Sequence, residues 1–98
     1  MPAKRQLLTD DAVEAALRTL PGWQRDGDRI VRTFLFADFV AALGFIAQVG
    51  ALAERADHHP ELTNVYNRVT IALHTHDSGG ITPMDTELAA EISARASV

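Results

Sequence analysis

The longest apolar stretch of the chain runs from residue 39 to residue 53 and is interrupted only by Gln48. Asp38 and Glu54 bracket this stretch. Its length falls short of the roughly 20 residues that cross a bilayer, so we predict a buried helix and no membrane span. Asp38 is expected to cap the helix, which should end near Ala56.

Two apolar stripes run along this predicted helix. They consist of Phe39, Leu43, Ile46 and Ala53 on one side and of Phe45, Val49 and Leu52 on the other. A helix that is apolar on nearly every side is buried on more than one side. One small sheet cannot cover both stripes, and large exposed apolar patches are uncommon on monomers. We therefore expect a homo-oligomer in which a second subunit covers the rest of the helix.

The composition narrows the class of protein. With 98 residues, 47% of them hydrophobic, the chain has the size of one domain, which we place at residues 1–98. The net charge of −4 argues against a nucleic-acid partner, which usually meets a basic face. The absence of cysteine excludes disulfides and thiolate catalysis. No long apolar run follows the first residues, so we expect no signal peptide and a cytoplasmic protein.

The remaining pattern predicts the element order α-β-β-α-β-β-α. Thr9 can cap a first helix that Pro21 helps to end. The predicted strands are residues 23–25, 29–37, 63–66 and 69–75, with turns at 26–28 and 67–68. Thr82, Pro83 and Asp85 suit the start of a last helix as N-cap, first position and capping-box acid. This order predicts an α+β fold, a single domain with a four-stranded antiparallel sheet and helices packed on one face.

All four histidines of the chain lie between residues 58 and 76. Imidazole is the side chain that changes charge near neutral pH, so such a cluster indicates proton transfer or metal binding. His58 and His59 precede Pro60 in a turn, and His76 precedes a glycine turn at the end of a strand. If the segments converge, a neutral and a protonated imidazole can act as base and acid.

Two other interpretations of the histidines stay open from the residues alone. His74 and His76 lie on one face of a strand, where zinc can accept two imidazoles, and Asp57 or Asp77 can complete the ligand set. The spacing matches no strong zinc signature. In the other interpretation the histidines are surface or hydrogen-bonded structural residues.

Three segments make the chain resemble a known family. They are ERADHHPE at residues 54–61, NVYN at residues 64–67 and THDSGGIT at residues 75–82. With the element order, they closely resemble the pterin-4a-carbinolamine dehydratases. In that family a glutamate precedes His-His-Pro by four residues, a third histidine opens the glycine turn, and an aspartate follows nine residues later. Glu54, His58, His59, His76 and Asp85 stand at those positions.

The resemblance implies a hydro-lyase that removes water from 4a-hydroxytetrahydrobiopterin in tetrahydrobiopterin recycling. It implies His58 and His76 as the acid–base pair, without deciding which is the acid, and His59 as a residue that orients the pterin. Glu54 and Asp85 are implied to hold imidazoles in position, although Asp85 also suits a helix cap. The reaction is expected to need no cofactor and no metal.

The resemblance also implies partners and shows two departures. Members of the family form tetramers through their long helices, act beside aromatic amino acid hydroxylases and, in some animals, bind a transcription factor as a dimerisation cofactor. That protein-binding role is the alternative function. Leu62 stands where relatives often have tryptophan, so one stacking surface is expected to be missing. His74 lies outside the motif and is interpreted as a surface residue.

Overall fold

The computed structural model describes residues 4–96. Residues 1–3, 97 and 98, which the predicted domain 1–98 includes, lie outside the described residues. The elements are α1 (Asp10–Arg18), β1 (Gln24–Asp26), β2 (Arg29–Leu35), α2 (Phe39–Ala56), β3 (Glu61–Val65), β4 (Arg68–Leu73), a 3-10 turn (His76–Ser78) and α3 (Pro83–Ala96). The predicted order α-β-β-α-β-β-α and the α+β class are confirmed.

The four strands form one antiparallel sheet in the order β1-β2-β4-β3. Ile30 of β2 lies opposite Leu73 of β4, and Phe34 lies opposite Val69. All four side chains are buried on the face that carries the helices, as the period of two in a strand requires. The predicted alternation in the last strand, with Val69, Ile71 and Leu73 on one face, is therefore confirmed.

The opposite face of the sheet is polar and carries an ion-pair bridge. Arg29 of β2 donates to Asp26 at the end of β1 and to Glu61 of β3. The hydrogen bond to Asp26, followed by the charge of Glu61, raises the pKa of the Arg29 guanidinium. On the same face the hydroxyls of Thr33 and Thr70 lie 3.0 Å apart.

Helix α2 begins at its predicted cap, since the Asp38 side chain accepts from the Ala41 N–H at 2.8 Å. Phe45, Val49 and Leu52 pack into the core. Of the other predicted stripe, Phe39 and Leu43 are close to half exposed, whereas Ala53 is buried and Ile46 packs against the core. By length and composition α2 would also suit a membrane, and one side of the helix packs in the core of this domain.

The hairpin between β3 and β4 differs from the sequence expectation. The turn is formed by Tyr66 and Asn67, one residue earlier than predicted, and Tyr66 has a positive φ of 52°. The Asn64 side chain donates to the carbonyls of Tyr66 and Arg68 at 3.2 and 3.0 Å. These bonds from a side chain two residues before Tyr66 stabilise a positive φ that tyrosine rarely adopts.

A matched pair of leucine substitutions tests the assignment of the core. Leu73→Ala removes a fully buried side chain and should lower the free energy of unfolding by about 2–5 kcal/mol. Leu35→Ala, at a side chain that is 73% exposed, should change it by no more than about 0.5 kcal/mol. Urea denaturation followed by circular dichroism measures both values. Equal losses in the two variants would contradict the placement of the core.

Candidate functional site

The end of α2 separates the two adjacent histidines. Asp57 adopts the left-handed conformation (φ 51°), which aspartate tolerates better than most residues, and Pro60 prevents the helix from continuing. The His58 N–H donates to the carbonyl of Ala53 at 3.1 Å. The reversal turns His58 inward, where it is 8% exposed, and leaves His59 at the surface.

The imidazole of His58 contacts the buried carboxylate of Asp85, 27 residues later in the chain. His58 Nε2 lies 2.5 Å from Asp85 Oδ1, and the Asp85 side chain is fully buried. Asp85 belongs to the first turn of α3, so the contact joins the end of α2 to the start of α3. A carboxylate on one ring nitrogen orients an imidazole and leaves its other nitrogen for a ligand.

The second oxygen of Asp85 caps α3. Asp85 Oδ2 accepts from the Thr82 N–H and from the Thr75 hydroxyl, each at 2.9 Å. This is the backward half of a capping box, in which the acid at the third helical position satisfies the N-cap amide. The two roles that the sequence set against each other, helix cap and partner of a histidine, are therefore held by different oxygens of one side chain.

His59 has a carboxylate partner of a different kind. Its Nε2 contacts Glu54 Oε1, one turn back on α2, and both side chains are mostly exposed, at 58% and 79%. Water and salt screen such a pair, so it orients the ring at little gain in stability. The predicted partnership of Glu54 with an imidazole thus has a geometric counterpart at the surface.

His76 lies at the start of the 3-10 turn that follows β4 and is exposed. Its ring packs edge-on against His74, with centroids 6.1 Å apart and planes at 75°. Among residues 4–96, His76 has no carboxylate partner at hydrogen-bond distance. His74, expected to be a surface residue, is partly buried beside it.

One open pocket of about 310 Å³ brings the predicted histidines together. It is lined by Arg5, Asp57, His58, His59, His74, Thr75, His76 and Asp77. Its volume lies at the lower end of the range for small-molecule sites, roughly 300–1,000 Å³. A second cavity, of about 100 Å³, adjoins the other side of His58 and falls below that range.

Two residues of the pocket, Arg5 and Thr75, are not among the site residues predicted from the sequence. Arg5 enters because Ser78 donates to its carbonyl at 2.5 Å and because Leu8 donates to Ile81 at 2.9 Å, which anchor the N-terminal segment beside the glycine turn. Thr75 enters through its bond to Asp85. Contacts between residues 73 positions apart, such as those of Arg5 and Leu8, leave no local pattern in the sequence. Thr75, in contrast, belongs to the segment THDSGGIT that carries the family resemblance.

Two other expectations concern the surroundings of the pocket. Leu62, expected near the pterin, lies on β3 opposite Ile71 of β4 and does not line this pocket. Within residues 4–96, no group of three or more histidine, cysteine or acidic side chains is arranged to hold a metal ion. His58 and His59 each direct Nε2 at a carboxylate instead.

Comparison with known proteins assigns the chain to a family. The model of the pterin 4 alpha carbinolamine dehydratase family matches residues 6–95. The chain belongs to this family. The match covers all four strands, helices α1 and α2, α3 up to Arg95, and all five predicted site residues. Membership supports dehydration of a pterin carbinolamine as the reaction, and the family name implies a hydro-lyase.

Curated relatives agree with this assignment. A protein of Rhodopseudomonas palustris is 52% identical over 89 residues, which are 89% of this chain and 88% of the relative. A protein of Thermomicrobium roseum is 46% identical over 90 residues, 92% of this chain and 97% of the relative. Both relatives are named as pterin-4-alpha-carbinolamine dehydratases, and both names are marked as provisional.

Solved structures share the fold. A protein of Brucella melitensis, described as a transcriptional coactivator/pterin dehydratase, superposes with a TM-score of 0.88 at 45% identity. The superposition covers 91% of this chain and 97% of that one. A pterin dehydratase-like RuBisCO assembly factor of the alpha-carboxysome superposes with a TM-score of 0.67 over 78% of this chain and 90% of that one. Its 23% identity supports the fold alone.

The two histidine–carboxylate pairs should differ in their contribution to stability. Asp85→Asn replaces one carboxylate oxygen by an NH2 group, which cannot accept from the donors around it, and it breaks the buried pair with His58. The free energy of unfolding should therefore fall by about 3–5 kcal/mol. Glu54→Gln alters the exposed pair and should cost about 1 kcal/mol or less. Urea denaturation of both variants beside the wild type gives the two values. A loss at Glu54→Gln as large as that at Asp85→Asn would refute the contrast.

Proposed function

We propose that the protein dehydrates 4a-hydroxytetrahydrobiopterin to quinonoid dihydrobiopterin and water by histidine acid–base catalysis. The observation that carries the proposal is the convergence of His58, His59 and His76 on one pocket in a chain of this family. In the reaction the C4a–O bond breaks, N5 loses its proton, and a C4a=N5 double bond forms. A base at N5 and an acid at the leaving hydroxyl are sufficient, without oxidation or reduction.

The hydrogen bonds favour His58 as the base. When His58 accepts the proton of N5 at Nδ1, the imidazolium that forms is stabilised by the carboxylate of Asp85 at Nε2. His76, which has no carboxylate partner at hydrogen-bond distance among residues 4–96, then gives a proton to the leaving hydroxyl. His59, held by Glu54 at the rim of the pocket, orients the pterin.

The proposed setting is tetrahydrobiopterin recycling beside an aromatic amino acid hydroxylase, whose product would be the carbinolamine. Family membership and the pocket of about 310 Å³ support this substrate class. A hydroxylase encoded in the genomic neighbourhood would support the recycling role.

Single alanine substitutions test the catalytic assignment. His58→Ala and His76→Ala should each lower kcat for 4a-hydroxytetrahydropterin dehydration by roughly 10²–10⁴-fold, the usual contribution of a general acid or base. His74→Ala, in the same segment but outside the motif, is the control and should stay near the wild-type rate. Stopped-flow absorbance follows the reaction, and circular dichroism checks folding. Wild-type rates in both catalytic variants would refute the proposal.

We further propose that the exposed side of α2 forms the centre of a homotetramer. Phe39 and Leu43 remain near half exposed, Val40 is 76% exposed, and added Cβ atoms at Gly44 and Gly50 would meet nothing within 4 Å. Glycine inside a helix costs roughly 1 kcal/mol relative to alanine, and it lets another helix approach closely. An apolar face with small residues therefore suits a second copy of α2.

A charge on this face tests the tetramer. Leu43→Glu should shift the mass in solution from tetramer towards smaller species, because a carboxylate would have to be buried between helices. Ala15→Glu, on the exposed side of α1, is the control and should leave the mass unchanged. Val49 is unsuitable for this test because it is fully buried within the subunit. Light scattering measures the mass, and a monomeric wild type would defeat the proposal and favour the protein-binding alternative.

A further inference from the structure

Thr75 and Thr82 form a buried pair of hydroxyl groups beside Asp85. Thr75 is 1% exposed, Thr82 is fully buried, and their Oγ1 atoms lie 2.6 Å apart. Thr75 Oγ1 also lies 2.9 Å from Asp85 Oδ2, and the Met84 N–H lies 3.2 Å from Thr82 Oγ1. In the part of the chain that the structure describes, every buried side-chain nitrogen and oxygen has a partner.

The two ends of this chain of hydrogen bonds determine its direction. The Met84 N–H can only donate, and the carboxylate of Asp85 accepts. A threonine hydroxyl has one hydrogen to donate and can also accept. The Thr75 hydrogen therefore goes to Asp85, and the Thr82 hydrogen goes to Thr75. No other arrangement of hydrogens satisfies all the contacts.

The tautomer of His58 follows from this network when Asp85 is ionised. Asp85 Oδ2 accepts from the Thr75 hydroxyl and the Thr82 N–H, while Oδ1 faces His58 Nε2. An ionised carboxylate has no hydrogen to donate, so with Asp85 ionised the hydrogen of the last contact is that of His58 Nε2. In the neutral ring Nδ1 then carries the lone pair.

We infer that Thr75 is a positioning residue that holds Asp85 as an acceptor and thereby presents His58 Nδ1 as the base. This inference rests on the proposed dehydratase function. The Thr75 hydroxyl acts through Asp85, because it donates to the carboxylate and accepts from Thr82 inside the protein. Thr75 lies directly before His76 in the chain, so it links the proposed acid, His76, to the proposed base, His58.

The test uses substitutions of nearly equal volume. Thr75→Val replaces the hydroxyl by a methyl group, removes a donor from Asp85 and leaves the Thr82 hydrogen without its acceptor. Loss of a hydrogen bond to a charged group corresponds to a fall in kcat of roughly tenfold or more, with KM changed by less than about twofold. Thr75→Ser, which keeps the hydroxyl, should recover kcat to within about threefold of the wild type on the same reasoning.

A matched control and a second readout separate positioning from general stability. Thr70→Val removes a hydroxyl from β4 that contacts Thr33 on the face of the sheet opposite the helices. The kcat of this variant should therefore equal that of the wild type. Long-range ¹H–¹⁵N spectra of the His58 ring show which nitrogen carries the proton. Wild type and Thr75→Ser should show Nε2–H, and Thr75→Val should show a mixture of the two tautomers.

The outcomes decide between the alternatives. Unchanged kcat in Thr75→Val, unchanged His58 ring signals in that variant, or equal loss in Thr75→Ser would overturn the inference. If Thr75→Val does not fold, Thr75→Cys supplies a weak donor of similar size and is held to the same criteria. If the wild type lacks dehydratase activity, the proposed function fails, and the ring spectra still report whether Thr75 controls the tautomer of His58.

Discussion

The buried carboxylate of Asp85 connects three segments that are separate in the sequence: the end of α2, the end of β4 and the start of α3. Removing a carboxylate from water costs several kcal/mol unless partners replace the lost hydration. Here Thr75 and the Thr82 amide donate to one of its oxygens, and His58 Nε2 lies against the other. Because these partners come from different elements, the carboxylate is satisfied only when the elements pack in their native arrangement.

The same chemistry recurs at the surface with a different physical result. His59 and Glu54 also pair an imidazole with a carboxylate, yet both side chains face water. Desolvation makes the geometry of the buried pair costly to alter, whereas the exposed pair can exchange its partners for water. Under the proposed function, this contrast suits a buried histidine that transfers a proton and an exposed histidine that receives the substrate.

Much of the fold followed from local patterns. The caps at Thr9 and Asp38 and the core stripe of α2 are where the apolar spacing placed them, because they depend on neighbours within one or two turns. The strand ends and the turn at Tyr66 were displaced by one or two residues. Their positions depend on cross-strand bonds such as that from Asn67 to Phe36, which a local pattern does not contain.

The sequence by itself determined the element order, the apolar character of α2 on more than one side and the residue types of the site, through periodicity, capping and the family motif. Only the tertiary structure decided that Asp85 serves both as cap and as partner of His58, that Thr75 belongs to its network, and that Arg5 reaches the histidine pocket. The physical reason is the range of the interactions. Helix and strand preferences act between near neighbours, whereas a buried carboxylate takes its donors from whichever segments the packed core brings within 3 Å.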